Sequence, residues 1–257
     1  SVMLIRAGVS PIATLPIAFL AGALAGMVTG LLNTALGIPG ILASILTQIS
    51  LYSINLNIMG KANQPVSVDN YPLVVSLRYV TDGSVSRLLF FLGMIVFLLA
   101  LIAVMYWYFG TEQGHAIRAT GCNSNMARAQ GINTNFIKVL ALMISNGLVG
   151  LCGALYGQFQ GASDVNMGRG AIVIGLAAVI IGEVLFGKFA SKRKLAFAFT
   201  LASVILGAVI YYMVYQFVLW LKMPSEDMKL FSAIVVAIFL AIPYLKEKRT
   251  LRKGASK

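Results

Sequence analysis

The sequence predicts an all-α protein, a polytopic bundle of transmembrane helices. Three observations favour this class. Apolar residues make up 59% of the 257 residues, and charged residues make up only 11%. Soluble domains carry about 25% charged residues, so this chain has too little charge to cover a water-soluble globule. The third observation is a set of long apolar runs, because a helix needs about 20 such residues to cross a bilayer.

Seven apolar runs predict about seven membrane segments. The strands of a membrane barrel are roughly 9–11 residues long and alternate in polarity, whereas these runs are longer and uniformly apolar. The run at 170–186 is short and contains Gly175 and Gly182, so it either spans the membrane or is re-entrant. The seven segments are 11–33, 39–58, 88–109, 136–159, 170–186, 196–220 and 229–245.

Basic residues set the predicted orientation. Thirteen of the 20 Lys and Arg residues lie in or beside the loops after the third and fifth segments, or in the C-terminal tail. Such residues collect on the cytoplasmic side of membranes, which accounts for the net charge of +12 without a nucleic-acid partner. Residues 1–257 then form a single transmembrane domain with a cytoplasmic C-terminus. Its long loops are extracytoplasmic over 59–87 and cytoplasmic over 110–135.

Catalytic and metal-binding patterns are missing from the sequence. It holds one histidine, His115, and two cysteines, so no cluster has the spacing of metal ligands. Residues 182–188 match part of a phosphate-binding loop, but Phe189 replaces the Ser or Thr that binds magnesium in that motif. The sequence therefore predicts a protein that is not an enzyme and holds no cofactor.

The second segment carries polar side chains on one face. Ser44, Thr47, Gln48 and Asn55 recur at helical spacing. Polar side chains in membrane helices turn toward protein or a watery cavity. They are therefore candidates for a translocation pathway, or for interhelical hydrogen bonds worth about 1 kcal/mol or less each. Similar candidates in the fourth segment are Asn146, Gln158 and Gln160.

Small residues recur at four-residue spacing in two segments. Gly22, Gly26 and Gly30 lie in the first segment, and Gly153 and Gly157 lie in the fourth. This spacing places small residues on one helix face and lets a second helix approach closely. The contact is either within one subunit or between two subunits.

An acidic residue, Glu183, lies near the predicted inner end of the fifth segment. A carboxylate at membrane depth is a candidate functional group. Lys188 and the basic residues at 192–194 are close in sequence. We therefore interpret Glu183 as a headgroup-level charge or a member of a structural ion pair.

The cytoplasmic loop contains a short predicted helix over 123–130. Asn123 or Ser124 can cap its start, and Gly131 can end it. Its mixed surface, which includes Met126, suits docking into a groove on another protein. The alternative is an ordinary connector between two membrane segments.

The same loop resembles the coupling loop of permease subunits in bacterial ATP-binding-cassette (ABC) importers, in the branched-chain amino acid and ribose-type class. Further matches are the Gly37-Ile38-Pro39 sequence and residues 170–187, where Gly182-Glu183 stands in place of the paired glycines of many relatives. The matching loop residues are Ala116, Arg118, Ala119, Gly121, Asn123, Ala127, Gly131, Ile132 and Asn133.

The resemblance implies a transport subunit of the bacterial inner membrane. Its partners would be a second permease copy, two ABC ATPases that bind ATP and magnesium, and an extracytoplasmic solute-binding protein. The loop over 116–133 would transmit ATPase movement to the membrane segments. Relatives usually begin with another helix, so an N-terminal helix would be missing here. Coupling would use Arg118, Gly121, Asn123, Ala127, Gly131 and Ile132.

Within this class, the loop and the compact size look most like permeases for aromatic amino acids. Two alternatives differ in kind. An ion-driven secondary transporter would be expected to carry deep acids or histidines, and only Glu183 comes near. A non-transporting scaffold would not need the polar face of the second segment. The amide and hydroxyl groups suit a neutral or zwitterionic solute, with sugars and nucleosides still open.

Overall fold

The computed structural model describes residues 1–66, 73–76, 84–168, 171–190 and 196–220, together with residues 237 and 241. The chain divides into two compact units, Ser1–Met167 and Gly168–Lys257. Apart from residues 237 and 241, the predicted segment at 229–245 lies outside the described residues, as does the basic C-terminal tail.

The described part of the first unit consists of helices and one small sheet. Its short elements are α1 (Val2–Arg6), α5 (Glu112–Cys122), α6 (Ser124–Ala129) and the strands β1 (Asn63–Pro65) and β2 (Ala162–Asp164). The strands pair antiparallel, with Asn63 opposite Asp164. The long helices are α2 (Thr14–Thr34), α3 (Gly40–Met59), α4 (Ser84–Phe109) and α7 (Thr134–Gln160).

The second unit contains α8 (Ala171–Ala190) and α9 (Ala196–Trp220), which pack against each other. The helix α8 continues without a break through Gly175 and Gly182. A Cβ atom on Gly182 would overlap the carbonyl oxygen of Ser203, so glycine at this position permits the close approach of α9. Glu183, the next residue, is exposed.

The predicted all-α polytopic class is confirmed. Five of the described helices contain a stretch long and apolar enough to cross a membrane: Thr14–Thr34, Gly40–Met59, Arg87–Phe109, Thr134–Gln160 and Phe197–Phe217. A sixth apolar stretch, Ile174–Leu185, is shorter. The helix α4 begins at Ser84, before the predicted boundary at 88, because the helix continues into polar residues that hydropathy alone does not assign to a membrane segment.

Glycine residues set the contact between α2 and α7. A Cβ atom on Gly22 or Gly26 would overlap the carbonyl oxygen of Asn146 or Leu142, and one on Gly30 would lie 2.9 Å from the Cα atom of Val139. The stripe predicted on the first segment therefore lies against α7 of the same chain.

On the α7 side of this contact, the glycines that meet α2 are Gly147 and Gly150. Gly150 faces the carbonyl oxygen of Ala18, and a Cβ atom on Gly147 would lie 2.8 Å from the ring of Phe19. Gly153 is exposed, and a Cβ atom there would meet no described neighbour within 4 Å. Gly157 is buried and has ordinary contact distances to Val2 and Ala162.

A buried amide joins three segments at the other end of α7. Gln158 is 1% exposed, and its Nε2 donates to the carbonyl oxygen of Pro11 (3.1 Å) and to Thr14 Oγ1 (3.2 Å). Its Oε1 accepts from the backbone N–H of Val74 at 3.2 Å. The amide thus satisfies polar groups of the 59–87 loop and of the start of α2.

The same loop contributes to a small hydrophobic core. Val66 and Leu73 are buried together with Val2 and Ile5 of α1. The described part of this loop therefore contributes apolar side chains that pack against α1.

Candidate functional site

A cavity of about 470 Å³ lies where α2 ends and where α3 and α7 begin. The helix α5 closes one side of it. Its lining combines apolar side chains with a few polar groups from four helices. The lining residues are Thr29, Asn33, Gly40, Ser44, Ile117, Thr120, Gly121, Ile137, Lys138, Ala141 and Leu142.

The predicted coupling loop contains two consecutive helices, of which only the second was predicted. The first, α5, begins after Thr111, whose side chain accepts a hydrogen bond from the N–H of Gly114. The chain then leaves helical geometry at Asn123, with φ −154° and ψ 101°. This break separates α5, which borders the cavity, from α6.

The predicted limits of the second helix agree with α6. Asn123 Oδ1 accepts hydrogen bonds from the N–H groups of Asn125 and Met126, both at 3.1 Å. Gly131 follows the helix with φ +82°, a left-handed conformation that glycine adopts without steric cost. The predicted capping residue Asn123 and the predicted terminating residue Gly131 therefore define the two ends of α6.

The two faces of α6 differ in exposure. Ala127 is 3% exposed, and its carbonyl oxygen accepts from the N–H of Ile132, so this residue packs α6 onto its own chain. Arg128 donates to Thr134 Oγ1 at 3.2 Å, which ties α6 to the start of α7. Met126 is 62% exposed and, with the exposed Asn125, forms the outer face. A partner would meet this face, not Ala127.

The remaining predicted coupling residues differ in their surroundings. Gly121 is exposed and lines the cavity. Arg118 lies on α5 and is partnered within the chain. Ile132 follows α6 and is half-buried.

The four predicted pathway residues do not share one environment. Thr47 is buried and accepts a hydrogen bond from Thr29 Oγ1 of α2 at 2.9 Å. This residue therefore makes an interhelical hydrogen bond, the alternative to a pathway role. Ser44 lines the cavity and donates to the carbonyl oxygens of its own helix. Gln48 and Asn55 are exposed on α3.

Four polar residues of the cavity, Thr29 among them, were not selected as site candidates from the sequence. Thr120 is 7% exposed, and its Oγ1 has no hydrogen-bond partner among the described residues. Lys138 and Asn33 complete the polar part of the lining. Their positions in the sequence give no signal, because they come from separate helices that only the fold brings together.

The described residues contain no group of three or more His, Cys, Asp or Glu side chains that could hold a metal ion. The polar groups at the cavity are hydroxyls, an amide and an ammonium. Such groups can bind a solute or a charged headgroup by hydrogen bonding.

Comparison with known proteins decides the family. Residues 1–243 match the permease component of branched-chain amino acid transport systems. The chain belongs to this family. The permease is accordingly a multi-pass inner-membrane component of a transport system and not an enzyme. Members of the family work with ATPase and solute-binding partners.

Named relatives agree with this assignment. The permease is 40% identical over 234 residues to a tyrosine transport system permease protein of Clostridioides difficile, covering 91% of this chain and 74% of the relative. It is 27% identical over 226 residues to an autoinducer 2 import system permease protein of Yersinia pseudotuberculosis, covering 87% of this chain and 59% of that relative. No solved structure matches the chain.

Proposed function

We propose that the permease forms the translocation pathway of an ABC importer for an amino acid of the aromatic class. The similarity to a tyrosine transport permease supports the solute class. The polar groups of α2 and α3 support a neutral or zwitterionic solute, because the described spans carry amides and hydroxyls with little deep charge. We assign import, and not export, because the chain belongs to this family.

One observation carries the coupling part of the proposal. The helices α5 and α6 stand between two membrane-spanning helices, and α5 lines the same cavity as Ser44 of α3. A force applied to the outer face of α6 acts on α5 through the short connection at Asn123. It therefore reaches Thr120 and Gly121 at the cavity wall.

The proposed assembly contains two permease copies, two ABC ATPases and one extracytoplasmic solute-binding protein. The ATPases hold ATP and magnesium and dock on the exposed face of α6. The C-terminus lies in the cytoplasm, on the same side as α5 and α6. Closure of the ATPases moves α6, and the pathway between the two permeases then opens to the other side.

Gly131 offers a direct test of coupling. Gly131→Val places a β-branched side chain at φ +82°, which disfavours the backbone geometry that ends α6. In proteoliposomes with the ATPases and the binding protein, we expect ATP hydrolysis to persist while tyrosine uptake falls about tenfold or more. Gly60→Val is the matched control. Gly60 also has a positive φ of +68°, but it follows the end of α3 that is remote from α6 and the cavity. Normal uptake by the Gly131 variant would count against the coupling role.

Two further assays address the other candidate functions. An ion-driven secondary transporter would accumulate solute after a pH jump without ATP. A scaffold would tolerate Gln48→Leu without loss of uptake in the complete system, whereas a pathway residue would not. ATP-dependent uptake that Gln48→Leu reduces is the result expected here.

A further inference from the structure

We propose that the cavity between α2, α3, α5 and α7 binds a phosphate group, with the phosphate of an anionic phospholipid as the favoured source. The inference depends on the cavity and its place near the helix ends. It does not depend on the solute or on the ATPase partners.

Two polar groups at the cavity have unmet bonding capacity. Thr120 is buried, with an exposed fraction of 7%, and its Oγ1 has no described hydrogen-bond partner. A buried hydroxyl without a partner is unfavourable, so such groups in native proteins usually bond to water or a ligand. Lys138 is half-buried and makes no hydrogen bond or ion pair with a described residue.

The charge of the lining favours an anion. No Asp or Glu side chain is among the described residues that line the cavity, and Lys138 supplies a positive charge. The N-termini of α3 and α7 at this end of the unit attract negative charge, whereas the C-termini of α2 and α5 beside the same cavity oppose it, so Lys138 carries the charge argument. The N-terminal residue of α3, Gly40, lies in the cavity wall.

The order of polar and apolar groups along α7 matches a phospholipid. Lys138 lies four residues after the start of α7 at Thr134, which is a rise of about 6 Å. The headgroup layer on each side of a bilayer is about 5–8 Å thick. Ala141 and Leu142 continue the same wall about one turn farther along α7. A phosphate near Lys138 would contact the polar part of this wall, and an acyl chain along Ala141 and Leu142 would contact its apolar part.

Native mass spectrometry of the purified chain tests this site. The two probes are dioleoyl phosphatidylglycerol and dioleoylglycerol, which has the same acyl chains but no phosphate. We expect at least fivefold stronger retention of the phosphatidylglycerol. Lys138→Gln should weaken that retention about fivefold, the effect of one lysine near an anionic lipid surface. Thr120→Val, which removes the unpartnered hydroxyl, should also weaken it.

Matched variants separate the site from general lipid binding. Lys61→Gln removes a lysine beyond the opposite end of α3. Thr34→Val removes a hydroxyl that bonds to the carbonyl oxygen of Gly30 and does not line the cavity. Both controls should retain phosphatidylglycerol as the unmodified chain does.

Competition with millimolar inorganic phosphate identifies the source of the group. Lipid that stays bound supports a headgroup site, whereas displacement that depends on Lys138 supports a site for free phosphate. Equal retention of the two lipids would overturn the proposal. Retention that neither Lys138→Gln nor Thr120→Val changes would also overturn it.

Discussion

Single glycines determine how closely α2 and α7 approach. At Gly26 a Cβ atom would overlap the carbonyl oxygen of Leu142, which belongs to rigid helical backbone. We expect Gly26→Ala to lower stability by about 1–3 kcal/mol, because the helices must separate. Gly93→Ala is the control, since a Cβ atom on Gly93 in α4 meets nothing within 4 Å. Thermal unfolding in detergent measures both, and equal midpoints would show that the glycine contact is unimportant.

The Gln158 amide is a second residue with a large expected effect. Gln158→Leu removes the acceptor for the Val74 N–H and the donors to Pro11 and Thr14. Loss of one buried partner costs about 1–3 kcal/mol. We expect a lower unfolding midpoint and faster proteolysis of the 59–87 loop.

A neighbouring amide provides the control for this substitution. Gln160 is exposed and bonds to the Tyr156 hydroxyl, so Gln160→Leu should stay within about 0.5 kcal/mol of the unmodified chain. Unchanged proteolysis of the Gln158 variant would mean that the amide does not hold the loop.

At the scale of elements, the side chain of Asn123 defines the start of α6. Asn123→Ala removes the acceptor of two backbone N–H groups and should cost about 1 kcal/mol. Because α6 has only six residues, we expect it to fray and to retain less ATPase during co-purification. Asn123→Asp keeps the acceptor and should restore the association. Failure of the aspartate variant to do so would assign Asn123 to direct contact with the partner and not to capping.

For the whole molecule, a native cysteine can test the orientation. Cys122 is exposed at the end of α5, and the predicted topology places it in the cytoplasm. A membrane-impermeant maleimide should therefore label Cys122 only after the membrane is opened. A cysteine introduced by Lys61→Cys, in a chain lacking Cys122 and Cys152, should react in intact cells. Labelling of Cys122 from outside would reverse the topology.

The composition and the apolar runs were sufficient to predict the helical membrane bundle. The sequence also predicted α6, because its capping residue Asn123 and its terminating residue Gly131 act through bonds and dihedral angles within a few residues. The additional helix α5 was not predicted, since its polar residues carry no apolar run. The pathway residues, the coupling contacts, and the subunit composition stay predictions.

Local features of the sequence determined the class of this protein and the bounds of most helices, because hydropathy and capping act within one segment. The tertiary structure alone decided which glycines meet, so that Gly147 and Gly150, and not Gly153, oppose α2. It also placed Thr47 against Thr29 and brought Lys138 and Thr120 to one cavity. The physical reason is that helix packing selects one face of each helix, and that choice depends on residues far apart in the chain.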